Sequence, residues 1–209
     1  MKTTLKVAGL ALMASAAWAS LIPSLSSLTP AGSDFVYTYT AHLSVDEALN
    51  PTATNGVTCP APGAPVQCNP TGTFLTIYDF AGFTGTATAP AGWTLTTSNT
   101  GLTPSSIVGG SIDSPGVLNL TFTYTGGNVQ GPGDFIFTAN SIFGTTNNNG
   151  NFAAQLTKSD LANPGSNGLT DQNAGPLPTP AATVPEPASA LLIGGGLLLA
   201  GCLARRRKS

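Results

Sequence analysis

The stretch Asp34-Phe-Val-Tyr-Thr-Tyr-Thr-Ala-His-Leu-Ser44 decides the fold class. In an extended chain Phe35, Tyr37, Tyr39, Ala41 and Leu43 share one face, and Thr38, Thr40, His42 and Ser44 share the other. A period of two with one polar face marks an antiparallel strand half-buried on a core. Val117 to Thr125 repeats the pattern, with Leu118, Leu120, Phe122 and Tyr124 expected inward and Asn119, Thr121, Thr123 and Thr125 outward. Thr73 to Phe80 and Asp134 to Phe143 are apolar on both faces in places, which predicts central strands, and Trp93 to Thr97 and Asn151 to Thr157 are weaker candidates. Thr125-Gly-Gly-Asn128 and Asn147-Asn-Asn-Gly150 are turn signals. The one helical hint is short, from Val45 to Leu49. No segment repeats at a fixed period, which argues against a solenoid or propeller. The expectation is an all-β chain with a single antiparallel β-sandwich, a jelly roll being one form of it.

Composition agrees. Only 8% of residues are charged, against about a quarter in an average globular protein. Disorder does not follow, because disordered chains combine low hydrophobicity with high net charge, and 41% of this chain is apolar. Lys158 is the one Lys or Arg between Lys6 and Arg205, whereas acids run from Asp34 to Glu186. Phosphate backbones need a basic footprint, so an acidic body excludes nucleic acid as a partner.

Both ends carry other signals. Lys2 and Lys6 precede an apolar run from Val7 to Ala17, followed by Ala17-Trp18-Ala19. A basic start, a short apolar run and an A-x-A site predict a secretory signal peptide over 1–19, cut between Ala19 and Ser20. Residues 20–162 are then expected to form the sandwich. Residues 163–183 are rich in Pro, Gly, Ala, Asn and Thr, the composition of a linker. Val184-Pro185-Glu186-Pro187 follows, then an uncharged apolar run from Ala188 to Ala204, then Arg205, Arg206, Arg207 and Lys208. As a helix the apolar run would cover roughly 25 Å, near the short limit for crossing a bilayer. Basic residues stay on the cytoplasmic side, which places the body outside the inner membrane and the last residues inside.

The tail over residues 184–209 resembles the PEP-CTERM sorting signal of Gram-negative bacteria, with motif, apolar helix and Arg-rich end in that order. The resemblance implies an exosortase, a membrane-embedded cysteine protease, as a transient partner. It also implies removal of the tail and delivery to the outer surface or the exopolysaccharide matrix, a biofilm setting. Pro185 and Pro187 hold the chain extended before the apolar run, which suits entry into a protease cleft. The segment Tyr78-Asp-Phe-Ala-Gly82 is similar to one that recurs in proteins with the same tail; no chemical role comes with it, and alternation puts Tyr78 and Phe80 on one face and Asp79 on the other.

Cys59 and Cys68 flank a Pro-rich loop. Export into an oxidising compartment predicts a disulfide between them, which would add about 2–3 kcal/mol by closing a short loop. Metal binding is not expected, since neither the C-x-x-C spacing nor a nearby His is present. Cys202 belongs to the apolar tail.

No catalytic residues and no cofactor are expected. The body has one histidine, His42, on a polar strand face, and no G-x-S-x-G, H-E-x-x-H or G-x-x-x-x-G-K motif. Asp79, Asp113 and Asp134 could pair as carboxylates of a glycosidase or collect calcium. Their neighbours, Asp113-Ser-Pro-Gly116 and Gly131-Pro-Gly-Asp134, fit turns better. The expected role is that of a non-catalytic structural or interaction protein. The alternatives are a carbohydrate-binding module, with Trp93 as its best candidate for an exposed ring although a buried core position suits that Trp at least as well, and, behind it, a hydrolase.

Overall fold

The computed structural model describes residues 21–52, 71–104, 107, 113–159 and 170–182. The elements are β1 (Leu21–Ala31), β2 (Asp34–Leu43), β3 (Glu47–Leu49), β4 (Phe74–Ile77), β5 (Phe83–Thr88), β6 (Trp93–Ser98), β7 (Asn119–Tyr124), β8 (Val129–Gln130), β9 (Gly133–Ser141), β10 (Thr146–Asn147), β11 (Asn151–Lys158), β12 (Thr170–Pro176) and β13 (Thr179–Pro180). A four-stranded sheet has the order β1-β2-β9-β5. A larger sheet has the order β6-β7-β4-β11-β3-β8, with β12 on the free side of β11, and β10 pairs with β13 alone. The pairings are antiparallel.

The inward residues of β2 meet those of the larger sheet. Tyr37, Tyr39, Ala41, Leu43, Phe137 and Ala139 share one buried cluster with Leu75, Ile77, Leu120, Phe122, Phe152 and Leu156. Phe137 bridges the layers, with ring centroids 4.8 Å from Phe122 and 5.1 Å from Trp93. Two antiparallel sheets therefore close face to face over one core, as the alternation in β2 and β7 predicts.

β1 does not show in the sequence pattern because its phase breaks. The register with β2 shifts between Leu25 and Ser27, so that Leu25 and Leu28, three apart, both pack against the core. The strand lies at a sheet edge and carries Pro23 and Pro30, residues that only an edge accommodates.

Four expectations need correction. The helical hint at Val45–Leu49 is a turn followed by β3, because Ala48 pairs with Thr157 on one side and Gln130 on the other. Leu118 precedes β7 and is exposed, whereas Asn119 and Thr121, expected outward, are buried. The outer face of the larger sheet is covered there: Thr76 Oγ1 and the Tyr78 hydroxyl both donate to the Leu102 carbonyl, and Thr76 and Thr121 hydroxyls lie 3.1 Å apart. Tyr78 and Phe80 do not share a face, because Asp79 takes a φ of 53° and ends the alternation. Phe80 joins the core, its ring edge-on to Tyr37 at 5.5 Å, while Tyr78 turns to the outer cover. Finally, 163–183 is not linker throughout, since β12 pairs with β11 from Thr170 to Pro176 and β13 follows. Linker composition misled here because β12, Thr-Asp-Gln-Asn-Ala-Gly-Pro, lies on an edge and needs little apolar surface.

β3 and β4 share one edge of β11 end to end. Lys158 and Thr157 face Glu47 and Ala48, and Gln155 to Phe152 face Phe74 to Ile77. The two are halves of one strand line, interrupted by an insertion. Its neck is closed by Thr73 N–H donating to the Asn50 carbonyl and Asn50 N–H to Thr73 Oγ1, both at 2.9 Å. Gly72 fits this neck with a φ of 79°, where a Cβ would lie 2.4 Å from the Pro51 carbonyl oxygen. Cys59 and Cys68 belong to the insertion and lie outside the described residues.

Candidate functional site

After β12 the chain is fastened to one end of the sandwich, step by step. Leu177 is buried and its N–H donates to the Gly150 carbonyl at 2.7 Å. The buried Tyr39 hydroxyl donates to the Pro178 carbonyl at 2.9 Å, and burial pushes its pKa up, which keeps it a donor. β13 pairs with β10 through Thr179 and Asn147, and Ala181 N–H donates to the Thr145 carbonyl at 2.8 Å. Thr145 Oγ1 returns a bond to the Ala181 carbonyl at 3.1 Å. The Tyr37 hydroxyl supports the same loop from inside, within 3.0 Å of the Phe143 carbonyl and 2.8 Å of the Thr145 carbonyl.

Beside this exit lies an open cleft of about 460 Å³, lined by Asp79, Ser114, Val117, Thr146, Asn147 and Pro180, among others. Its polar wall is a closed network. Asp79 accepts from Ser114 N–H and from Ser114 Oγ, each at 3.0 Å. Asp79 N–H donates to Asn119 Oδ1 at 2.8 Å, and Asn119 Nδ2 donates to Asp113 at 2.9 Å. Asp113 also accepts from Gly101 N–H at 3.3 Å. Asn119 thus couples the two acids, and its complete burial is compensated at both ends of its amide. The left-handed backbone of Asp79 is tolerable for an Asp held this way. This chemistry fits the turn-satisfying role expected of both residues. Asn119 went unnoticed in the sequence because a strand pattern alone placed it outward.

Asp134 lies elsewhere, on β9 opposite His42 in register. Its carboxylate is 2.7 Å from His42 Nδ1, with both side chains well exposed. The hydroxyls nearest in register are engaged: Ser24 bonds the Thr40 carbonyl and Thr40 the Ser26 hydroxyl. Asp134 lies in the four-stranded sheet, whereas Asp79 and Asp113 lie in the loops after β4 and before β7. Among the described residues, no group of three or more His, Cys, Asp or Glu could hold a metal ion.

Trp93 is not an exposed ring. It is buried against Tyr124, Phe135 and Phe137. Among the described residues no Trp, Tyr or Phe is exposed. Lys158 is committed as well, its Nζ 3.6 Å from Glu47 Oε1 and 3.7 Å from Asp171 Oδ2.

Residues expected to act in export and sorting, namely Ala19, Ser20, Val184, Pro185, Glu186, Pro187 and Arg205 to Lys208, lie outside the described residues. No helix among the described residues is long and apolar enough to cross a membrane. Sequence comparison supplies what the fold does not. Residues 183–208 match the PEP-CTERM protein-sorting motif. The motif begins two residues after Ala181, whose N–H donates to the Thr145 carbonyl at the sandwich end. It supports an exported protein targeted by an exosortase. No curated protein and no solved structure matches the chain.

Proposed function

We propose that this chain is a cell-surface or exopolysaccharide-matrix protein whose tail an exosortase removes and whose folded body has a structural or interaction role rather than a catalytic one. The PEP-CTERM motif over residues 183–208 carries this reading. The signal peptide ends at Ala19, and the body begins with β1 at Leu21. Before processing, the run from Ala188 to Ala204 crosses the inner membrane with Arg205 to Lys208 on the cytoplasmic side. Cys59 and Cys68 form a disulfide within the insertion.

The body supports a non-catalytic role through what its polar groups already do. Asp79 and Asp113 are bound into a turn network, and Asp134 pairs with His42. A sugar-binding role finds no support in Trp93, which is buried, and stacking on a sugar needs an exposed ring.

The test is the intact mass and location of the mature protein in its native host. The expected mass lacks Met1 to Ala19 and everything from about Pro185, is lighter by two hydrogen atoms for one disulfide, and is found at the surface or in the matrix. A mass that retains Arg205 to Lys208, found in the inner membrane, would make the tail a plain anchor and end the exosortase reading.

A further inference from the structure

The chain is bonded to one end of the sandwich as far as Ala181. The apolar run begins at Ala188. Six peptide steps separate Ala182 from Ala188, and a fully extended chain covers at most roughly 20 Å over that span. While the tail is in the bilayer, the exit end of the body is therefore tethered within about 20 Å of the hydrocarbon boundary. The headgroup layer takes up part of that distance.

The surface around the exit is suited to such a neighbour. Ile142 and Leu118 are exposed there, Ile142 at 56%. Both are tied to the segment beside the cleft, Ile142 N–H donating to the Gly82 carbonyl and the Leu118 carbonyl accepting from Phe80 N–H. Among the described residues no Lys or Arg lies at this end, since Lys158 is paired with Glu47 and Asp171 beside β3. The acids Asp79 and Asp113 already accept hydrogen bonds from Ser114, Asn119 and Gly101, which lowers the cost of bringing them near headgroups. They still forbid immersion in hydrocarbon.

We infer that, before the tail is cut, this end of the sandwich rests on the bilayer surface, with Ile142 and Leu118 at the headgroup level and the cleft beside Pro180 facing the lipid. The occupant is a neutral or zwitterionic lipid surface, because an acidic body gains nothing from anionic headgroups. The inference rests on the anchored-tail reading proposed above. It goes further by assigning the face that meets the membrane.

The experiment uses the full chain from Ser20 to Ser209, reconstituted in phosphatidylcholine–phosphatidylethanolamine vesicles. A photo-crosslinking residue replaces Ile142, Leu118, Val129 or Ile136 in separate samples. Val129 and Ile136 are exposed controls, Val129 beside β3 and Ile136 on the outer face of the four-stranded sheet. Lipid adducts at positions 142 and 118 are expected to exceed those at 129 and 136 at least five-fold. A flexible spacer of about twenty Gly and Ser residues between Ala182 and Thr183 should level the four positions, since at full extension it adds roughly 65 Å of reach. Vesicle flotation separates the two ways of failing. A chain that does not float with the vesicles refutes the anchored tail itself. A chain that floats but labels all four positions equally, or labels 136 most, refutes the assigned face. Labelling of 142 and 118 by a protein in host membranes, with none by lipid in vesicles, would give this face to a protein and overturn the lipid assignment.

Discussion

Glu47 is fully buried beside the Asp171 carboxylate and Lys158, whose Nζ lies 3.6 Å from Oε1. Burial pushes its pKa from 4.5 up to about 8, the nearby Asp171 carboxylate adds to the shift, and Lys158 opposes it. The folded state therefore holds a proton that the unfolded chain has lost above its ordinary pKa of 4.5. Stability is expected to fall as pH rises from 4.5 toward 8 and to level off above that. Glu47→Gln should remove most of this slope. Urea midpoints at pH 5, 7 and 9 check it, and parallel pH profiles for parent and variant would refute it. Asn119 makes a second case. Asn119→Ala strips the acceptor from Asp79 N–H and one of two donors from Asp113, and should cost about 1–3 kcal/mol, read as a lower urea midpoint. Neither role was legible in the sequence. An acid after a turn and an Asn at a strand start read as solvated until the opposing strands and the covering loop are in place.

At the scale of elements, the alternating strands were legible and the exceptions have separate causes. β2 and β7 carry strict alternation, and β9 and β4 are flanked on both sides as their apolar faces predict. β1 is obscured by its register shift and β12 by its edge position. β3 is obscured by the insertion that parts it from β4, since three residues before a Pro-rich loop do not establish a period. Their alternation is nevertheless continuous across the gap: Leu49 and Leu75 belong to the core cluster, and Phe74 between them does not. Deleting residues 50–73 to join Leu49 to Phe74 should therefore leave a folded sandwich. Its far-UV circular dichroism should match the parent, with a cooperative thermal transition. Loss of that transition would mean that the insertion helps hold the sheet.

For the molecule as a whole, the folded body extends to the exit beside the sorting motif. A chain over 21–182 should fold cooperatively. One ending at residue 162 loses β12, the buried Leu177 and the carbonyl acceptor of Tyr39, and should aggregate or melt at least 10 °C lower by circular dichroism. The sequence by itself determined the class of fold, the acidic body and the sorting tail. These depend on local order: a period of two, a charge count, and a motif, an apolar run and a basic end in succession. Only the tertiary structure decided that Trp93 is core, that Asn119 and Glu47 are buried, that Asp79 and Asp113 share one network without Asp134, and that residues 170–181 belong to the body. Each of these depends on what lies across a sheet or over its outer face. Contacts between residues far apart in sequence leave no period in the chain from which to read them.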